Sequence, residues 1–196
     1  MFVDEAIITC VAGRGGQGCH SLDRSHPGHF RPTGGDGGNG GSIFIEARLN
    51  VQTLLDFQMN PYFTAESGAH GSSNNKTGGR GKDTTIGVPV GTEIIDNRTG
   101  ELLRDLDKLG ETVMVCKGGT GGRGNDKKNH ATLGDPGEEK ELLLKLKLIA
   151  DIGLVGFPNA GKSTFISRVS NAKSKIAPYP FTTKNPILGV VKFDDD

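Results

Sequence analysis

The sequence predicts a mainly β, glycine-rich N-terminal domain followed by the opening part of an α/β phosphate-binding unit. Three observations carry this. Glycine supplies 31 of 196 residues, about twice the usual share, and it is clustered into blocks. Short runs of alternating apolar residues separate the blocks. Near the C-terminal end, Gly156-Phe157-Pro158-Asn159-Ala160-Gly161-Lys162-Ser163 reads G-x-x-x-x-G-K-S, the spacing of a phosphate-binding P-loop.

The alternating runs come first. Phe2–Val11 places Val3, Ile7, Thr9 and Val11 on one side of a strand, with Asp4 on the other. Ser42–Ala47 is a short strand. Thr84–Val90 and Thr92–Asp96 alternate and join at Gly91, and Glu111–Lys117 carries Val113, Met114 and Val115. Asp96–Gly100 reads as a turn. Glu138–Leu148 sets Leu142, Leu144, Leu146 and Leu148 against Lys145 and Lys147, the pattern of a half-buried strand. Many short strands with turn signals point to a barrel or a sandwich.

The glycine blocks are Gly13–Gly18, Gly34–Gly41, a thinner group from Gly68 to Gly81, and Gly118–Gly124. In the second and fourth blocks glycine recurs with a period of three. Three residues make one turn of a polyproline II helix. Two edges of such a helix are then bare, and the third carries Asp36, Asn39, Thr120 or Arg123. Bare edges let chains approach closely; a flexible linker would favour serine and show no period.

Net charge is zero, so composition alone names no polyanionic partner, but the charges are unevenly spread. Lys76, Arg80 and Lys82 sit together without an acid, and Lys117, Arg123, Lys127 and Lys128 surround only Asp126. Residues 83–111 carry seven acids against three bases. Basic residues on thin projections suit insertion among RNA phosphates; Arg31, Lys76, Arg80, Lys82 and Arg123 are the candidates.

In the P-loop, the glycines allow the backbone to curl so that the amides of Asn159–Thr164 face phosphate oxygens. Lys162 brings a cation to the β- and γ-phosphates and is the candidate catalytic residue. Ser163 offers a hydroxyl to Mg²⁺. Ile149–Val155 reads as the buried strand before the loop, and Lys162–Ser170 as the helix after it, whose N-terminus adds positive potential. About 20 residues on, Tyr179-Pro180-Phe181-Thr182-Thr183 forms a loop able to close over Mg²⁺ and the γ-phosphate. Ile187–Phe193 reads as the next strand.

Cys10, Cys19 and Cys116 are too few and scattered for a disulfide framework, which suggests a reducing compartment. Neither a signal peptide nor an apolar run long enough to span a membrane is expected, nor is a zinc site from Cys10, Cys19 and His20.

Taken together, the opening Phe2-Val3-Asp4-Glu5, the Gly34–Gly41 block, Val88-Pro89-Val90-Gly91-Thr92, Gly118–Asn125, the run Lys147–Ser163 and Tyr179–Thr183 resemble the Obg family of GTPases over the whole chain. The resemblance implies polyproline II helices on a small β-barrel over residues 1–149, then a Ras-like G domain, incomplete, over residues 150–196. It implies binding and slow hydrolysis of GTP with Mg²⁺, and late assembly of the large ribosomal subunit, the glycine-rich domain contacting ribosomal RNA. GDP and the alarmone ppGpp are further implied ligands, and a cytoplasmic monomer the expected form. It implies nucleotide contacts from Gly156, Phe157, Pro158, Asn159, Ala160, Gly161, Lys162, Ser163 and Thr164, and from Phe181, Thr182, Thr183, Lys184 and Asn185. Ser163 and Thr183 are the implied Mg²⁺ ligands.

The chain departs from the family pattern in Ser21–Pro32, which has His26, His29 and fewer charges, in a shorter segment between Gly124 and Pro136, and at Lys184, usually apolar. It ends before the D-x-x-G and N-K-x-D motifs, so none of its residues is expected to read a base. The rival readings are a non-catalytic RNA-binding or scaffold module with a vestigial P-loop, and a P-loop ATPase or kinase.

Overall fold

A computed structural model describes residues 4–26, 29–51, 53–147, 153–157 and 160–170. The readings at Val3, at 148–152, at Pro158 and Asn159, and from 171 onward, including the 179–183 loop and the 187–193 strand, lie outside the described residues. The chain divides into two compact units, Met1–Leu148 and Ile149–Asp196.

In the first unit, β1 (Glu5–Val11) lies between β5 (Tyr62–Thr64), which runs parallel to it, and β10 (Glu139–Leu146), which is antiparallel. Beyond β10 come β7 (Thr92–Asp96) and the outer strand β8 (Leu102–Leu106). A second sheet centres on β4 (Ile43–Ala47), flanked by β6 (Thr84–Val88) in parallel and β9 (Thr112–Cys116) antiparallel. A separate hairpin pairs β2 (Leu22–His26) with β3 (His29–Pro32). The short helix α1 (Leu55–Met59) buries Phe57.

Both large sheets turn their inner faces to one core. Ile8, Ile94, Leu106, Leu142 and Leu144 come from the first, and Ile43, Ile45, Ile86, Val88 and Val115 from the second, all buried. Burying each aliphatic side chain contributes roughly 1.5–3 kcal/mol. Leu142 and Leu144 point inward as the spacing predicts. On β1 the faces are reversed from expectation. Ala6, Ile8 and Cys10 are buried, while Ile7 is 47% exposed. Both faces of that strand carry apolar residues, so alternation alone does not choose between them. Burial pushes the Cys10 thiol up to about 12 and the Cys116 thiol up to about 11, which makes both inert core residues.

The sheets do not close into the small barrel expected from the resemblance. β5 and β8 remain outer strands of one sheet, and β6 and β9 of the other. The ladders stop where strands pass into glycine segments: β1 runs into 12–19, β9 into 118–125, and 34–41 leads into β4. The runs Thr84–Val90 and Thr92–Asp96, which join at Gly91, fall in different sheets. Gly91, at φ 84°, turns the chain from β6 in one sheet to β7 in the other.

The glycine segments are neither α-helix nor β-strand. Six stretches, 12–19, 34–41, 66–72, 76–82, 118–125 and 131–137, run side by side and bond at every third residue. The Gly13 and Gly16 amides donate to Gly41 and Gly38 carbonyls at 2.9 and 2.7 Å. The Gly119 and Gly122 amides donate back to Gly13 and Gly16 at 2.9 and 2.8 Å, and those of Gly35, Gly38 and Gly41 donate to Ser72, Ala69 and Glu66. This satisfies backbone groups that would otherwise be costly to bury. A Cβ built on Gly16, Gly37 or Gly121 would fall closer than 3.0 Å to a neighbouring backbone carbonyl, so the absence of side chains permits the packing.

Candidate functional site

In the second unit, α2 (Lys162–Val169) follows Gly161, whose φ of 79° forms a left-handed turn at its N-terminus. The Lys162 Nζ folds back and donates to the carbonyls of Gly156 at 2.6 Å and Phe157 at 2.8 Å. The Ala160 amide donates to the Phe157 carbonyl at 3.3 Å. Gly156, Phe157, Ala160, Gly161 and Lys162 therefore form one turn with the ammonium against its inner rim. The residues present fit a phosphate ligand: a cation held by the carbonyls of Gly156 and Phe157, and amides at the N-terminus of an eight-residue helix. Ser163 and Thr164 are the next residues of α2.

The buried strand expected over Ile149–Val155 is absent from its described part. Gly153–Phe157 form no strand, and Val155 is 100% exposed. A parallel strand is buried only when neighbouring strands and covering helices flank it, and no strand among the described residues pairs with it. For the same reason α2 buries nothing and leaves Phe165 56% exposed. Phe181, Thr182, Thr183, Lys184 and Asn185 lie outside the described residues. No cluster of three His, Cys, Asp or Glu side chains that could hold a metal occurs among the described residues.

The basic candidates spread along the glycine bundle. Lys82 lies at the end nearest the sheets, where its amide donates to Glu66 Oε2 at 3.1 Å. Lys76 lies at the opposite end, beside the turn through Asn74 and Asn75, both with positive φ. Arg31 is on β3, opposite Asp23. The cluster of Lys76, Arg80 and Lys82 is not free of acids in space: Arg80 grips Asp83 in a two-pronged bond of 3.0 and 3.1 Å. Arg123 is exposed and makes no ion pair among the described residues.

Sequence reasoning missed the side chains that lock the bundle. Asp36 Oδ1 accepts from the Gly124 amide at 2.7 Å, and Asn39 Oδ1 from the Gly121 amide at 2.8 Å. They stand three residues apart on the edge the sequence marks as non-glycine, so the same period gave the signal. Asn125, buried, accepts the Gly34 amide at 2.8 Å and donates to the Ser21 carbonyl at 2.9 Å. Near that end, the rings of His20 and His130 stack with centroids 5.8 Å apart.

Comparison with known proteins adds the following. The GTP1/OBG family model matches residues 3–148, and a family described as 50S ribosome-binding GTPase matches residues 151–196. GTPase Obg of Persephonella marina is 51% identical over 204 residues, covering 98% of this chain and 59% of its own length. GTPase Obg of Syntrophus aciditrophicus is 49% identical, covering 100% of this chain and 60% of its own. GTPase Obg of Chloroherpeton thalassium is 51% identical, covering 98% and 61%. The chain spans about three fifths of the length of the curated relatives it matches.

Proposed function

Because this chain belongs to the GTP1/OBG family, we propose that it is the glycine-rich domain, residues 1–149, and the start of the G domain, residues 150–196, of an Obg-type GTPase. The whole protein binds GTP and GDP with Mg²⁺, hydrolyses GTP slowly, and acts in the cytoplasm as a monomer in late assembly of the large ribosomal subunit. The alarmone ppGpp is a further ligand of the same loop. The six glycine segments are polyproline II helices, supported by their three-residue bonding period, and their basic side chains contact ribosomal RNA.

The observation that carries the nucleotide reading is the Lys162 ammonium on the Gly156 and Phe157 carbonyls beneath a helix N-terminus. Phosphate oxygens are stronger partners than carbonyls for that cation. On binding, Lys162 turns to them and the amides of residues 159–164 cradle them. Ser163 and Thr183 hold Mg²⁺, which supplies charge neutralisation to the phosphates when bound. Phe181, Thr182, Lys184 and Asn185 close the loop over the nucleotide. The 196-residue chain alone turns over GTP negligibly, since Val155 and Phe165 lie uncovered.

Titration calorimetry of the full-length protein tests this. GTP binds in preference to ATP, and Lys162→Ala weakens it by on the order of 2–5 kcal/mol. Unchanged affinity in the variant overturns the phosphate-loop assignment. Preference for ATP favours a P-loop ATPase or kinase, and absence of any nucleotide binding favours a scaffold.

A further inference from the structure

The outer face of the five-stranded sheet carries an ordered pattern that neither nucleotide nor RNA binding uses. Strand register places Ile7 opposite Leu143, Leu143 opposite Ile95, and Ile95 opposite Leu102. These four residues form one apolar row crossing β1, β10, β7 and β8. Its two ends are open, Ile7 being 47% and Leu102 52% exposed. At a strand spacing of about 4.8 Å, the row is about 14 Å long.

Charged rows flank it. On one side Glu5, Lys145, Glu93 and Asp105 stand in register. There Lys145 pairs with Glu5 at 3.1 Å, and Lys147 bonds Glu93 at 3.1 Å as well as Asp105. On the other side Thr9 stands opposite Glu141, with Glu139 two residues along β10 on the same face. Glu139 and Glu141 make no ion pair among the described residues. The carboxylates on this face, Glu5, Glu93, Asp105, Glu139 and Glu141, outnumber its lysines, Lys145 and Lys147.

We propose that this row is a docking site for a short amphipathic helix of a partner protein, apolar along one stripe and lined with Lys or Arg. The negative surround repels nucleic acid and anionic lipid and complements bases. A row running across strands offers side chains rather than a backbone edge, which favours a helix laid over the face to an added strand. Three helical turns, about 16 Å long, cover the row and set flanking bases over the carboxylates.

The test uses the intact chain and two fluorescent 14-residue peptides designed as amphipathic helices, one of Leu and Lys, the other of Leu and Glu. In anisotropy titrations the Lys peptide binds and the Glu peptide does not. Raising salt weakens binding, as does the double variant Ile7→Ser with Leu102→Ser, by on the order of tenfold. Circular dichroism confirms folding, and both sites are half exposed, so the fold tolerates them. A second variant, Glu139→Lys with Glu141→Lys, weakens the Lys peptide without touching the apolar row. The proposal is overturned if neither peptide binds, if both bind alike, or if the variants leave binding unchanged. It is also overturned if the wild type dimerises by sedimentation velocity and Ile7→Ser with Leu102→Ser abolishes that, since the occupant is then a second copy.

Discussion

A Cβ on Gly38 would fall closer than 3.0 Å to the carbonyl of Gly79, whereas a Cβ on Gly79 would meet nothing within 4 Å. The two glycines face each other, yet only one is needed for packing. Gly38→Ala must push a hydrogen-bonded backbone aside, because the Gly79 carbonyl also accepts from Ala69 at 2.9 Å. We expect a loss of about 2 kcal/mol or more. Gly79→Ala should change stability by less than about 0.5 kcal/mol. Thermal melts of the two variants decide it; equal melting temperatures would mean that the segments do not pack as described.

Asn125 bonds at both ends of its amide, joining segment 118–125 to Gly34 of the second glycine block and to Ser21. Asn125→Ala leaves the buried Gly34 amide without an acceptor, at a cost of about 1–3 kcal/mol. Asn129→Ala, on an exposed turn nearby, should cost far less. Urea unfolding of both variants tests the ranking, and the reverse order would count against Asn125 as the anchor.

How far this fold was legible depends on the element. Leu142 and Leu144 are readable because Glu141 and Lys145 hold alternate positions of β10 on either side of Leu143. On β1, Ile7 and Ile8 are adjacent, so periodicity cannot choose a face; the facing sheet chooses. β8 is hidden because Leu102 and Leu103 are adjacent, and the register shift opposite Ile94 and Ile95, which skips Leu103, breaks its alternation. The glycine period revealed the bundle's bonding repeat, but segment 131–137 has too few glycines to announce itself. The helix from Lys162 onward was legible from local spacing alone. The strand expected before it is absent from its described part, Gly153–Val155, since a parallel strand depends on distant neighbours.

Lys147 bonds Asp105 and Glu93 across three strands. Its hydrogen bond holds the Asp105 carboxyl below the usual carboxylate range. In turn, Asp105 and then Glu93 hold the Lys147 ammonium above its usual value. A depressed acid contributes stability above its unfolded pKa, near 3.9, that is lost as pH falls through the folded value. A raised base contributes stability below its unfolded pKa, near 10.4, that is lost as pH rises through the folded value. Asp105→Asn should therefore lower the melting temperature at pH 7, and the gap to wild type should narrow as pH falls toward 3. A gap constant from pH 7 to 3 would show that the ion pair contributes nothing through charge.

The basic side chains of the bundle are not equivalent, and the difference gives a test of the proposed RNA contact. Arg80 is already engaged by Asp83 at 3.0 Å. A phosphate must compete with that carboxylate, so the gain on contact is reduced. Arg123 has no such partner among the described residues. Asp126 is held low chiefly by hydrogen bonds from Asn129 and Lys128, and Arg123 acts on it only as the weakest cause. Its guanidinium is therefore available to phosphate oxygens. In co-sedimentation of the full-length protein with large ribosomal subunits, Arg123→Ala should weaken association more than Arg80→Ala. It should also reduce the dependence on log salt by about one unit per lost phosphate contact. Both variants should melt like wild type, since both side chains are exposed. If neither weakens association, these side chains do not contact ribosomal RNA. If Arg80→Ala is the more damaging, Asp83 positions that arginine for RNA instead of competing with it.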